Sequence, residues 1–205
     1  MPTVVHRYDR IARFYGGLTP IFLIRAKFRR KAVARLQLKP GDVVLEVGCG
    51  TGLNLPLLVD AVGASGVVIG IDASAGMLER ARALVAQNGW QNVRLLEQDA
   101  SQLDIDRELD AVLFSLSYSV LPDPQPALAR SWERLRGGGR LVVFDGTLPA
   151  NTLGRALRPF ASLLIKITPG NADTYPWDDL AALSSPVETE KFQPGIYYTC
   201  AITKQ

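Results

Sequence analysis

The chain has 205 residues, 47% of them hydrophobic, and a net charge of +3, which is enough for one full core and too little for two ordinary α/β domains. Two cysteines and a single histidine exclude a disulfide framework and a zinc cluster, so a reducing compartment and no bound metal are expected. The first residues lack an apolar signal core and no 18-residue apolar span occurs, which predicts a cytoplasmic protein that does not cross a membrane.

Charge is unevenly spread along the chain. Residues 1–41 hold ten Lys/Arg against one acid, while residues 42–205 hold thirteen against nineteen, or +9 against −6. In the basic part, Ile21, Ile24, Phe28, Ala32 and Leu36 recur at helical spacing, and the basic residues from Arg25 to Lys39 have no acidic neighbour in sequence. This spacing predicts an amphipathic helix with a cationic side over 21–39. Such a helix either lies on an anionic membrane surface, at the inner face of the membrane for a cytoplasmic protein, or packs on the rest of the chain with a solvated basic face. Residues 1–40 are expected to form a helical cap on a main domain of 41–205, the two making one compact unit. Phe22 and Phe28 are too few as stacking platforms to favour nucleic acid as a partner.

The next element carries the strongest signal. Val43-Val44-Leu45-Glu46-Val47 suits a buried strand of a parallel sheet, and Gly48-Cys49-Gly50-Thr51-Gly52 suits a backbone turning tightly beneath a ligand. A helix from Leu55 to Val62 would point its N-terminus at the same spot. The dinucleotide fingerprint Gly-x-Gly-x-x-Gly also follows a first strand, but here the third glycine comes one residue too early and an acid ends the strand. Glu-x-Gly-x-Gly-x-Gly resembles the first motif of class I S-adenosylmethionine (SAM)-dependent methyltransferases. The resemblance implies SAM as cofactor, S-adenosylhomocysteine (SAH) as product, and a Rossmann-like α/β fold with helices on both faces of a seven-stranded, mostly parallel sheet.

The following segments continue the alternation. Gly66 to Asp72 reads as a second strand, and its terminal aspartate can accept both hydroxyls of a ribose. Ala73 to Ala81 resembles the second-helix signature of the family, with Ser74 as N-cap and with Ala73 and Met77 placed by the resemblance against adenine; ordinary core filling is the other reading of Met77. A third strand over Val93–Ala100 again ends in a carboxylate, and the resemblance gives Asp99 the adenine amine. Taken alone, Asp99 reads as a turn residue or helix cap.

Leu109 to Leu116 reads as the fourth strand and places Ser115, Leu116, Ser117 and Tyr118 beside the methyl donor. A helix over Ala127–Leu135 and a fifth strand over Leu141–Asp145 follow, joined by the glycine turn Arg136–Arg140. The tail, about Val187–Phe192 and Ile196–Thr203, reads as an antiparallel hairpin that closes the sheet. Between them, the apolar segment 153–168 and the aromatics Tyr175 and Trp177 are where acceptor specificity is expected.

The resemblance thus assigns the cofactor to Glu46, Gly48, Cys49, Gly50, Gly52, Asp72, Ala73, Met77, Asp99, Ala100 and Ser115. Tyr15 and Tyr118 are the expected catalytic tyrosines, with Tyr8, Tyr197 and Tyr198 as further candidates for lining an acceptor pocket. His6 is a candidate base if the N-terminal segment covers the pocket. Tyr8–Ala12, Phe114–Asp123 and Val143–Gly146 resemble bacterial phospholipid and aminolipid N-methyltransferases, with ubiquinone/menaquinone C-methyltransferases as the alternative. The implied acceptor is an aminolipid such as phosphatidylethanolamine, or else a quinone-like or other small molecule.

Overall fold

Alternation of side chains on the strands sorts the core into two layers. Leu45, Val47, Ile69, Ile71, Val112 and Phe114 point to one face of the sheet, while Val44, Val68, Ala111 and Leu113 point to the other. Both sets are buried, which is why these strands read as continuous apolar runs.

The computed structural model describes residues 26–146, 175–192 and 196–205. His6, Tyr8, Tyr15 and the apolar segment 153–168 lie outside them. The strands β1 (Val43–Val47), β2 (Val67–Asp72), β3 (Val93–Glu97), β4 (Leu109–Ser115), β5 (Leu135–Gly146), β6 (Glu188–Phe192) and β7 (Tyr197–Thr203) form one sheet in the order β3-β2-β1-β4-β5-β7-β6. β7 runs antiparallel to β5 and β6, and the remaining pairs are parallel. The expected seven strands with a closing antiparallel pair are therefore present.

One face of the sheet packs against α1 (Ala26–Ala34), α2 (Leu55–Val62) and α3 (Ala75–Asn88), through side chains such as Val33, Leu58 and Ala81. The other packs against α4 (Gln125–Arg134) and α5 (Trp177–Leu183), through side chains such as Leu128 and Leu180. Helix boundaries follow local chemistry. The Ser74 hydroxyl accepts from the Met77 N–H to cap α3, and Gly89 ends it in the left-handed conformation. The Lys204 ammonium donates to the carbonyls of Trp132, Glu133 and Leu135 at the end of α4.

Three expectations are corrected: the helix expected over 21–39 ends at Ala34 among the described residues, the fifth strand starts earlier than expected, and the basic side meets acids. β5 begins at Leu135, not Leu141: Leu135 pairs with Leu109, the register then shifts, and Arg140 pairs with Ala111. The glycine-rich turn is thus an irregularity inside a strand. The cationic helix is also not free of acids. Lys31 pairs with Glu190 at 2.6 Å and Arg35 with Glu188 at 3.1 Å, so part of the basic side is tied to β6, and Arg140 on β5 shares Glu188 at 3.0 Å. Phe28 stacks on Phe192 with ring centroids 5.0 Å apart, adding apolar contact to the same junction.

Candidate functional site

The strand order reverses between β1 and β4, and loops leaving adjacent strands there diverge to opposite faces. That geometry opens a crevice at the carboxyl ends of the strands, the usual ligand position in such folds. A cavity of about 570 Å³ occupies this place.

The glycine loop forms its floor. The N–H groups of Gly48 and Cys49 both donate to the Ile71 carbonyl at 2.9 Å, which locks the loop to the end of β2. The Asp72 carboxylate accepts from Gly50 N–H at 2.8 Å and from Ser74 N–H at 2.9 Å, so it joins the loop to the start of α3. Gly48 has φ +71° and a Cβ there would lie 2.6 Å from the Ser117 Cβ. Gly50 has φ +55° and nothing within 4 Å of where its Cβ would be, so it opens on the cavity. Gly52 plays a different part: an added Cβ would meet Leu55 at 2.7 Å, so it lets the loop pack on α2.

Ten of the eleven expected cofactor residues line this one cavity: Glu46, Gly48, Cys49, Gly50, Asp72, Ala73, Met77, Asp99, Ala100 and Ser115. Only Gly52 among them does not line it. Asp99 also caps the short helical turn Ala100–Gln102 by accepting from Ser101 N–H at 2.8 Å, which is the helix-cap reading of it.

The expectation for Tyr118 is corrected. After Leu116, which takes the left-handed conformation at φ +57°, the chain turns Tyr118 back into the core, where its ring meets Phe114 edge-on at 5.7 Å. Its hydroxyl donates to Asp179 at 2.5 Å. It does not line the cavity, and burial followed by the Asp179 hydrogen bond pushes its phenol far above the usual range. Tyr197 and Tyr198 are likewise core residues: Tyr197 packs near Phe28 and Phe144, and Tyr198 meets Trp177 in a tilted contact. Leu116 and Ser117 line the cavity.

Sequence reading missed several lining residues, among them Arg29, Thr51, Asn54 and Gln98. Arg29 comes from α1, where the cationic pattern marked it as surface charge. It donates to Asn54 Oδ1 at 3.2 Å, and Asn54 Nδ2 donates to Glu46 Oε1 at 2.6 Å. Glu46 and Asn54 are only 1% and 2% exposed. Burial raises the Glu46 carboxyl from 4.5 to about 7, although Asn54 and Arg29 act to lower it. Burial, with the nearby Glu46 and Asp72, also keeps the Cys49 thiol neutral.

These residues fit SAM. Glu46 Oε2, Thr51 Oγ1, Gln98 Oε1 and Ser115 Oγ are buried on cavity-lining residues and have no hydrogen-bond partner among the described residues, as donor- and acceptor-rich ligands require. Ile71, Ala73, Met77 and Ala100 offer an apolar wall for a base, and Leu53, Leu116, Val120, Leu121 and Pro122 offer a second apolar wall.

Residues 44–139 match a family described as "Methyltransferase domain". The chain is 38% identical over 150 residues to the aklanonic acid methyltransferase DauC of Streptomyces sp. (strain C5), covering 73% of this chain and 67% of that protein. It is 40% identical over 119 residues to a phosphatidylethanolamine N-methyltransferase of Cereibacter sphaeroides, covering 57% and 56%. Demethylmenaquinone methyltransferases of Listeria, Symbiobacterium and other bacteria match at 28–32% identity. With several of these relatives the chain spans less than two thirds of their length. Among solved structures, the Haemonchus contortus phosphoethanolamine N-methyltransferase 2 complexed with phosphomonomethylethanolamine and SAH shares the fold, with TM-score 0.77 and 17% identity over 95% of this chain and 47% of that one.

Proposed function

Since the chain belongs to the SAM-dependent methyltransferases, we propose that it transfers a methyl group to the amine of an aminolipid such as phosphatidylethanolamine, working at a membrane surface. The observation that carries the transfer reading is the single cavity that gathers Glu46, Asp72 and Asp99 above the glycine loop. SAM supplies a methyl group already activated by its sulfonium. The chain's part is to hold donor and acceptor in line, an effect that contributes on the order of 7–11 kcal/mol. In this reading Asp72 takes the ribose hydroxyls, Ala73 and Met77 face the adenine, and Asp99 takes its amine. The wall of Leu53, Leu116, Val120, Leu121 and Pro122 borders the acceptor.

The lipid acceptor draws support from the Cereibacter relative and from Lys27 and Arg30, which are exposed on α1. No helix among the described residues is long and apolar enough to cross a membrane; in this reading the exposed cations attach the chain to the surface. The test is incubation of the protein with SAM and vesicles of phosphatidylethanolamine plus an anionic lipid, followed by mass spectrometry of lipids and SAH. Methylated headgroups, fewer at high salt, are expected. Methylation of a demethylmenaquinone analogue in detergent, with none of the lipid, would overturn the aminolipid reading in favour of a quinone-like or other small-molecule acceptor. That second reading has its own support: the apolar wall, and relatives with small-molecule names that match more of this chain than the lipid enzyme does.

A further inference from the structure

We propose that Arg29 and Asn54 hold Glu46 as a receptor for the positive charge of the methyl donor, so that donor binding expels a proton from the cavity. The inference rests on the transfer reading and adds a proton linkage to its donor site.

An amide side chain can present either end. The Arg29 guanidinium is a donor only and engages the Asn54 oxygen at 3.2 Å, which favours the orientation that turns Nδ2 toward Glu46. The amide is thereby oriented, with Nδ2 held 2.6 Å from Glu46 Oε1. One carboxylate oxygen is committed to this chain of bonds. The other, Oε2, is buried without a hydrogen-bond partner among the described residues, on a residue that lines the cavity.

Among the described residues, the charged and titratable groups around this carboxyl come from three places. Arg29 on α1 favours the ionised form, while Asp72 at the end of β2 opposes it; Cys49 in the glycine loop stays a neutral thiol. Burial outweighs Arg29 and Asn54, leaving the carboxyl near pH 7, so in the free protein it is protonated through the mildly acidic range. A cation brought against Oε2 favours the carboxylate, and the O–H proton leaves to solvent. SAM carries such charge in its sulfonium and its ammonium. Arg29 and Asn54 act through Glu46, which makes them positioning residues.

Calorimetric titration of the full chain with SAM tests this between pH 5.5 and 7.0, below the range near 7.7–8.0 where an α-amine itself titrates. Buffers of different protonation enthalpy report the proton count. Expected are a Kd that tightens several-fold per pH unit as pH rises, approaching tenfold at the acid end, and release of close to one proton there. The uncharged fragment 5′-deoxy-5′-methylthioadenosine should bind with a pH-independent Kd. Glu46→Gln should flatten the SAM profile, and Arg29→Gln or Asn54→Leu should move its midpoint to higher pH. An equal loss of affinity at every pH in both of these variants would overturn their positioning role. A flat wild-type profile without proton release overturns the inference and leaves the methyltransferase reading standing. Absence of SAM binding at every pH overturns both.

Discussion

Glu46 is the residue where burial and function pull in opposite directions. Its carboxyl sits at about 7 in the folded chain against an ordinary 4.5, so the native state holds a proton that the unfolded chain has lost. Stability from this group is fully present below about pH 4.5 and is lost as pH rises to 7, by roughly 3 kcal/mol at about 1.4 kcal/mol per pH unit. Urea unfolding at pH 5 and pH 7.5 should therefore show a smaller difference for Glu46→Gln than for the wild type. An unchanged difference would show that the carboxyl is not buried as described. Tyr118 teaches a different lesson. Its position after β4 matched an expected site, but alternation after the Leu116 turn sends the ring into the core. Tyr118→Phe should cost about 1 kcal/mol through the lost Asp179 hydrogen bond and leave SAM affinity unchanged; a large loss of affinity would return it to the site. The glycines also divide by geometry. Gly48→Ala should lower the melting temperature more than Gly50→Ala, because only at Gly48 does the new Cβ strike protein atoms, whereas bulk at Gly50 should act mainly on the donor Kd.

At the scale of elements, α1 shows what a charge pattern leaves out. Helical spacing identified Phe28, Ala32 and Leu36 as the inward side, and all three are buried. It could not tell which basic residues stay in solvent, because their partners on β6 lie more than 150 residues away. Lys31 and Arg35 are tied to Glu190 and Glu188, Arg29 lines the cavity, and Lys27 and Arg30 remain exposed. Lys27→Gln with Arg30→Gln should therefore weaken binding to anionic vesicles without changing thermal stability or SAM affinity. Arg35→Gln should do the reverse, destabilising by up to about 1 kcal/mol, since its guanidinium also donates to the Glu188 carbonyl at 3.1 Å. Loss of vesicle binding only in the Arg35 variant would mean that α1 meets no membrane through its exposed cations. The start of β5 was hidden for a related reason. Three consecutive glycines, Gly137 to Gly139, mark a turn locally, yet Leu135 is buried and pairs with Leu109 before the register shifts. Pairing across the sheet decided that boundary.

Across the whole molecule, what was legible follows from what is local. β1 and β2 are apolar runs that end at the glycine loop and at Asp72, β3 ends at Glu97 just before Asp99, and those ends converge because parallel strands share a direction. Three carboxylates spaced 26 and 27 positions apart in sequence, Glu46, Asp72 and Asp99, thus surround one cavity. The contribution of α1 was not legible, since only the fold carries Arg29 across to Asn54. A ligand in this cavity touches the ends of β1, β2 and β4 and the loops that follow them, so it binds the folded chain and not the unfolded one. At about 100 times Kd such binding adds roughly 2.7 kcal/mol to stability, which for a chain of this size raises the melting temperature by about 5–10 °C. SAH should produce this rise, with its size following the logarithm of ligand concentration. The Glu46 linkage sharpens the expectation: at one fixed SAM concentration, the increment should be smaller at pH 5.5 than at pH 7, and Glu46→Gln should remove that dependence. Equal increments in the wild type at both pH values would uncouple the carboxyl from the donor, while no increment with either ligand would remove the donor from the cavity altogether.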